Sequence, residues 1–164
     1  MPSDTVKNCS AVIAAAGWNI FFVESATAGR MSSEFALTEE SGKILRGGIS
    51  CYEVFIKEQI LKIPHKLIEE YTPESAEVTA ALARQSAKIF NAKVTVAVTG
   101  LTTPGGSETP EKPVGTMFSC IIMPGGTIEH RQVYTGTPEE IIIRSIDTVA
   151  QLILEMAAGS VNKE

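Results

Sequence analysis

The chain has 164 residues, a length typical of one domain, with 44% hydrophobic and 20% charged residues. This balance predicts a soluble globular protein with a substantial apolar core, and we expect a single domain over residues 1–164. The net charge of -5 excludes an electrostatic basis for nucleic acid as the main partner and for an anionic membrane surface, because both need clustered Lys and Arg.

The N-terminus and the cysteines indicate the cellular compartment. The segment MPSDTVKNCS lacks a basic start followed by an apolar core, and the apolar runs are too short to span a membrane. Cys9, Cys51 and Cys120 are widely spaced and odd in number, which is typical of reduced thiols in a cytoplasmic protein. The two histidines, His65 and His130, are too few for a His-based metal centre. We therefore expect a cytoplasmic protein without a metal or a cofactor.

Apolar spacing predicts alternating helices and strands along the chain. In the first helix, Val6, Ala11, Val12 and Ala15 fall near one face, and Pro64 is expected to end a later helix. The predicted elements are a helix over 5–17, a buried strand over 18–24, a helix over 27–41, a strand over 43–52, helices over 53–63, 64–71 and 76–90, a strand over 93–100, a hairpin of strands over 116–123 and 127–135, and a helix over 138–157.

Local signals support several of these elements. Gly47 and Gly48 mark a bulge or a close backbone approach within the second strand. Ser75 is a plausible N-cap of the following helix, and Glu77 lies in its first turn, where the helix dipole favours an anion. The interleaved order predicts an α/β fold, a three-layer α/β/α sandwich around a mixed, mostly parallel sheet.

Three segments follow the carboxyl ends of predicted strands, where open α/β sheets bind their ligands. They are residues 24–29, 52–57 and 99–115. Each contains polar or Gly-rich sequence that a purely structural turn would not require. We therefore expect the functional site where these three segments meet.

Ser25 has two interpretations. Ser and Thr at a strand-to-helix junction are commonly N-caps. Alternatively, Ser25 is a nucleophile or an anion contact at the positive end of a helix. A nucleophilic Ser needs a base, and neither His lies near these segments in the sequence.

Lys57 is either a solvated surface charge or that base, because Ser-Lys pairs are a known variant of the Ser-His-Asp arrangement. Leaving half of a lysine neutral at pH 7 requires its pKa to fall from about 10.4 by roughly 3.4, which costs about 4.6 kcal/mol. Burial can lower a lysine pKa by about 3–5. A dry crevice could therefore activate Lys57, whereas an exposed position could not.

Tyr52 is either a core-edge aromatic or a hydroxyl that orients Lys57. The loop LTTPGGSETPEKPVG is either an ordinary Gly/Pro loop or a lid whose backbone N–H groups and Lys112 hold a phosphate or a ribose. It lacks the spacing of a Walker A loop.

Taken together, three motifs resemble those of the CinA C-terminal (competence/damage-inducible) domain family, which includes the nicotinamide-nucleotide amidases. The family reads roughly ESCTGG, GGxxTYSNEAK and TGIAGPGGGTPEKPVGT, and this chain has ESATAG, GGISCYEVFIK and TGLTTPGGSETPEKPVGT. The family interval between the motif Ser and the motif Lys matches that from Ser25 to Lys57. The resemblance extends from about Trp18 to Met156, and TPEKPVGT is its most specific segment.

The resemblance implies an amidohydrolase that converts nicotinamide mononucleotide to nicotinic acid mononucleotide and ammonia. Ser25 would be the nucleophile, Lys57 its base and Tyr52 a supporting hydroxyl. A small pyridine nucleotide would be the partner, and a homo-oligomer, most simply a dimer, is expected. The residues expected to contact substrate are Glu24, Thr27, Gly29, Thr99, Gly100, Thr103, Gly105, Lys112 and Arg144.

Several positions depart from the family motifs. Ala26 and Ala28 replace a Cys and a Gly, and EVFI replaces the polar SNEA before Lys57. These departures define an alternative from another class, a relative with degraded catalysis that acts as a nucleotide-binding or protein-interaction module.

Overall fold

The computed structural model describes residues 1–161, which form seven helices and five strands. The elements are α1 (Asp4–Ala15), β1 (Ile20–Glu24), α2 (Arg30–Ala36), α3 (Ser41–Ile44), β2 (Leu45–Ser50), α4 (Val54–Gln59), α5 (His65–Tyr71), α6 (Ala76–Phe90), β3 (Val94–Gly100), β4 (Thr116–Met123), β5 (Gly126–Val133) and α7 (Pro138–Val161).

The five strands form one sheet in the order β2-β1-β3-β4-β5. Strand β1 pairs in parallel with both β2 and β3, whereas β4 is antiparallel to β3 and to β5. Four strands therefore run in one direction and β4 alone runs against them. This confirms the predicted mixed, mostly parallel sheet, and it places the carboxyl ends of β1, β2 and β3 side by side.

Alternate side chains of β1 pack into two separate apolar cores, one on each face of the sheet. Ile20 and Phe22 belong to the apolar cluster that includes the buried faces of α1 and α7. Phe21 and Val23 point to the opposite cluster, which is built largely from α6 and the segment before it. All five β1 residues are buried, as a central strand covered by helices requires. This confirms the three-layer sandwich.

Three details of the helices differ from the sequence-based expectation. The helix predicted over 27–41 is shorter, because α2 comprises only Arg30–Ala36. The buried face of α1 comprises Val6, Cys9, Ser10 and Ile13, at helical spacing, so the face predicted through Ala11, Val12 and Ala15 was wrong. Pro64 does not end α4, which stops at Gln59; it is the N-cap of α5, where a proline has no intrahelical hydrogen bond to lose.

The structure confirms both features predicted for Gly47 and Gly48, a bulge and a close backbone approach. The β1–β2 register slips between Ile20 and Phe21, which face Leu45 and Gly47, so one residue of β2 bulges. At Gly48, a Cβ would lie 2.3 Å from the Ser32 hydroxyl oxygen. Only glycine lets α2 approach β2 this closely, and this approach positions the turn that follows β1.

Candidate active site

Ser25 lies at the first position after β1 and is held by the sheet itself. Its backbone N–H donates to the Val98 carbonyl of β3 at 2.9 Å, and the neighbouring Glu24 carbonyl accepts from the Cys51 N–H at 2.8 Å. The strand ladders thus continue for one residue beyond β1 on both sides. They fix the Ser25 Cα at the carboxyl edge of the sheet.

Lys57 reaches Ser25 from α4. Its Nζ lies 3.0 Å from the Ser25 Oγ, and it also donates to the backbone carbonyls of Cys51 at 2.6 Å and Tyr52 at 3.3 Å. The lysine is only 1% exposed and the serine 6% exposed. The interpretation of Lys57 as a solvated surface charge is therefore wrong, and the two side chains form a buried pair.

The three contacts of Lys57 fit the three donors of an ammonium, and they also fit a neutral amine. A neutral amine has two N–H donors, which the two carbonyls accept, and one lone pair, which can accept the Ser25 hydroxyl proton. Burial lowers the pKa of Lys57, while the negative charge of Glu74 opposes part of that decrease. Burial therefore shifts Lys57 toward the uncharged form that a general base requires.

We expect the Lys57→Met variant to lose a pH dependence of stability that the wild-type protein has. Because the folded-state pKa of Lys57 lies below the unfolded value of about 10.4, the unfolded chain binds more protons, so stability rises with pH up to that value. The slope from this one group approaches about 1.4 kcal/mol per pH unit. Urea unfolding of both proteins across the neutral and alkaline range measures the difference.

The control for that comparison is Lys66→Met, which removes an exposed lysine of α5. Its unfolding free energy should parallel that of wild type at every pH. Parallel curves for Lys57→Met and wild type would contradict a lowered Lys57 pKa.

Ser25 is not a helix cap. Helix α2 begins at Arg30, its N-cap is Gly29 in the left-handed conformation, and no side chain of the N-cap satisfies the first turn. The Ser25 hydroxyl instead faces Lys57. Of its two predicted interpretations, only the one that leaves the hydroxyl available for chemistry fits this geometry.

Glu24 occupies the N-terminus of α2. Its Oε2 accepts from the Thr27 hydroxyl at 2.6 Å and from the N–H groups of Gly29 and Met31, at 3.1 and 2.9 Å. Its Oε1 accepts from the N–H and the hydroxyl of Ser32. The carboxylate is 1% exposed, so it serves as an internal anion at the positive end of the helix.

This arrangement corrects three predicted substrate contacts. Glu24 and Thr27 are buried and bonded to each other, and the Gly29 N–H is bonded to Glu24. The α2 N-terminus is therefore already neutralised by the chain's own carboxylate. It builds the turn that presents Ser25, and its donors to Glu24 are already occupied.

The contact between Tyr52 and Lys57 uses the main chain. The Tyr52 carbonyl accepts from the lysine, whereas the Tyr52 side chain is 64% exposed. The predicted role of its hydroxyl in orienting Lys57 is therefore wrong. The exposed ring forms part of the cavity wall.

A cavity of about 240 Å³ opens directly at Ser25. Three of the predicted contact residues line it, Gly100, Thr103 and Gly105, all from the end of β3 and the loop that follows. The remaining lining residues are Ser25, Ala26, Tyr52, Glu74, Leu101, Thr102, Pro104 and Gly106. The three chain segments expected to meet at this edge therefore do so.

Two other predicted contacts, Thr99 and Arg144, lie away from the cavity wall. The Thr99 side chain is fully buried and its hydroxyl pairs with that of Thr79 on α6 at 2.9 Å. Arg144 lies on α7 and donates to the Thr135 carbonyl. Neither residue is among those that line the cavity.

Lys112 holds the loop in place instead of reaching into the cavity. Its Nζ donates to the Thr72 hydroxyl at 2.7 Å, the Glu74 carbonyl at 2.9 Å and the Ser107 hydroxyl at 2.8 Å. These bonds join the loop to the connection between α5 and α6. Binding of a phosphate or ribose by Lys112 stays a prediction, and it would require Lys112 to give up some of these bonds.

Sequence reasoning missed Glu74 and the backbone donor beside Ser25. Helix α6 leads back to the start of β3, a strand parallel to β1, so α6 must begin near the carboxyl edge of the sheet. Glu74, the residue before the Ser75 cap, could therefore have been placed at that edge from the sequence. The Ala26 N–H has no hydrogen-bond acceptor among residues 1–161 and lies next to the Ser25 side chain along the chain. It is therefore free to donate to a ligand oxygen.

The fold and the site define an α/β/α domain with a buried Ser-Lys pair at the carboxyl edge of its sheet. The family model that matches is the CinA C-terminal domain, over residues 3–157. The chain belongs to this family, as its three sequence motifs indicate. None of the helices within residues 1–161 has the length and apolar character that crossing a membrane would require.

Two relatives illustrate the similarity in sequence. A CinA-like protein of Mycolicibacterium vanbaalenii is 34% identical over 143 residues, which are 87% of this chain and 33% of that protein. A CinA-like protein of Geotalea uraniireducens is 32% identical over 125 residues, 76% of this chain and 30% of that protein. The chain thus spans about a third of the length of these relatives.

Solved structures support the same fold. A competence-damaged protein (CinA) superfamily protein from Klebsiella pneumoniae superposes with a TM-score of 0.89 at 17% identity, covering 95% of this chain and 97% of that chain. A competence/damage inducible protein from Agrobacterium tumefaciens gives a TM-score of 0.86 at 20% identity, covering 95% and 98%.

Proposed function

We propose that this protein hydrolyses the carboxamide of nicotinamide mononucleotide to give nicotinic acid mononucleotide and ammonia. The observation that carries the proposal is the 3.0 Å contact between the Ser25 Oγ and the Nζ of a lysine that is 1% exposed. A hydroxyl and a desolvated amine at this distance can transfer a proton, which is the first requirement for acyl transfer from an amide.

The proposed reaction has two halves. Lys57 takes the Ser25 proton as Oγ attacks the carboxamide carbon, and the Ala26 N–H stabilises the developing oxyanion. The Lys57 ammonium then protonates the departing nitrogen, and ammonia leaves an acyl-enzyme ester on Ser25. Lys57 next deprotonates a water that attacks the ester, and it returns this proton to Ser25 as the ester breaks. The product leaves as a carboxylic acid, which loses its own proton to the released ammonia or to solvent.

The position of Glu74 supports the proposal of a substrate that contains a pyridinium ring. Its carboxylate lines the cavity, and one oxygen accepts from Ser107 at 2.6 Å, which leaves the other oxygen available. The nicotinamide ring of a nucleotide carries a positive charge at its ring nitrogen. A carboxylate on the cavity wall favours such a ring over a neutral one.

The direct test is ammonia release from nicotinamide mononucleotide by the purified protein, with nicotinic acid mononucleotide identified as the second product. Formation of both in equal amounts supports the proposal. Binding of the nucleotide by calorimetry without any ammonia would contradict it and favour the alternative, a nucleotide-binding or protein-interaction module.

One observation favours that alternative. Phe55 of α4 is 60% exposed and lies in the segment EVFI, close in sequence to the exposed Tyr52. Exposed aromatic side chains of this kind are enriched where proteins bind partners. A homodimer also stays a prediction, which sedimentation of the purified chain checks.

Glu74→Gln is expected to change both the pH profile and the affinity for substrate. Removing the negative charge lowers the Lys57 pKa further, so the acid limb of the kcat/KM profile should shift to lower pH. Loss of the partly exposed charge should also raise KM for the pyridinium substrate by about 2- to 5-fold. Glu77→Gln removes the same charge from the first turn of α6, three residues away and outside the cavity lining, and should change neither quantity.

A further inference from the structure

The loop after β3 binds one of its own carboxylates. The backbone N–H of Gly105 donates to the Glu108 Oε1 at 2.7 Å, and the N–H of Gly106 donates to the Oε2 at 2.8 Å. Each oxygen thus has its own donor. The left-handed conformation of Gly105, with φ of +99°, helps to turn two consecutive amides toward one point.

Two consecutive N–H groups that converge in this way form a concave anion site. Their bonds to Glu108 lower the pKa of its carboxyl, so the side chain remains charged in the site. Gly105 and Gly106 also line the cavity that opens at Ser25. The anion site therefore belongs to the loop that forms one wall of this cavity, although Glu108 itself is not among the lining residues.

The described cavity wall offers no cationic side chain to an anionic ligand group. None of the described residues that line it is Lys or Arg, and the nearby Lys112 already donates to three oxygen atoms. Glu108 is only partly buried, so its side chain can rotate into solvent without unfolding the loop. An incoming anion can then take its place on the two amides.

We propose that the Gly105 and Gly106 amides form the anion subsite of this cavity and that Glu108 is a built-in competitor for it. A ligand that carries a phosphate must displace Glu108, whereas a ligand without a phosphate need not. Glu108 thereby lowers the preference of the site for phosphorylated over unphosphorylated ligands. That the ligand also carries a carboxamide rests on the proposed function, but the anion subsite does not.

Titration with inorganic phosphate, followed through the backbone amide NMR signals, tests the subsite without any turnover. In Glu108→Gln the two amides lose their charged acceptor, so phosphate should bind about tenfold more tightly than in wild type, with the Gly105 and Gly106 signals moving most. Glu108→Ala should show the same gain in phosphate affinity as Glu108→Gln. Glu111→Gln removes the same charge from the same loop, outside the amide pair, and should bind phosphate within about twofold of wild type.

Three results would overturn the proposal. They are unchanged phosphate affinity in both Glu108 variants, an equal gain in Glu111→Gln, or phosphate-induced shifts confined to other residues. The spectra of the variants also show whether the loop keeps its conformation. Tighter phosphate binding without ammonia release from any variant would support the subsite while contradicting the amidase, so the two failures are distinguishable.

Discussion

Ser25→Ala is expected to reduce ammonia release from nicotinamide mononucleotide by about 10⁴-fold or more. The variant removes the hydroxyl oxygen that the proposal assigns to the acyl-enzyme ester, and Lys57 supplies no oxygen that could replace it. The protein should still fold, because the Ser25 backbone keeps its bond to Val98 and only one buried hydroxyl is lost. Initial rates and thermal unfolding, measured on the same preparation, separate chemistry from stability.

Ser33→Ala provides the matched control. Ser33 is an exposed serine of α2, and the same substitution there should leave the rate of ammonia release unchanged. A Ser25→Ala protein as active as wild type would reject the proposed nucleophile and, with it, the role of Lys57. Equal losses in both variants would point to damage to α2 rather than to the loss of a reacting group.

The parts of the fold that sequence predicted well are those with strong local signals. Helix α6 begins and ends where predicted, because Ser75 accepts the Val78 N–H at its start and Asn91 adopts the left-handed conformation at its end. The face of α1 was wrong because its alanines were weighted as core residues, whereas the structure buries the small side chains Cys9 and Ser10 instead. Alanine is compatible with either face of a helix, so it carries little information about orientation.

The site was predictable as far as it depends on topology. Parallel strands bring their carboxyl ends together, so Ser25 and the loop after β3 were expected at one edge, and the family resemblance identified Lys57. The direction of individual side chains was not predictable. Thr99 and Lys112 bind Thr79 and the α5–α6 connection, which are distant in the sequence. Such contacts depend on how the elements pack, and no local pattern encodes them.

Glu24→Gln is expected to destabilise the protein by about 3–5 kcal/mol, although it replaces a single oxygen by an amide nitrogen. Both carboxylate oxygens of Glu24 accept hydrogen bonds. The Met31 N–H donates to Oε2 and the Ser32 N–H donates to Oε1. Whichever way the Gln amide is oriented, its NH₂ group meets at least one of these donors and leaves it unpaired in a buried place. Urea unfolding measures the loss, and the melting temperature should fall by about 10 °C.

Glu39→Gln is the control for that measurement, since Glu39 is an exposed carboxylate just after α2 and its substitution should change stability by less than about 0.5 kcal/mol. Because Glu24 organises the turn that follows Ser25, Glu24→Gln should also lower ammonia release at temperatures where the variant remains folded. A fully stable Glu24→Gln protein would mean that the α2 N-terminus does not depend on this carboxylate. Its amides would then be available to a ligand, as the sequence alone suggested.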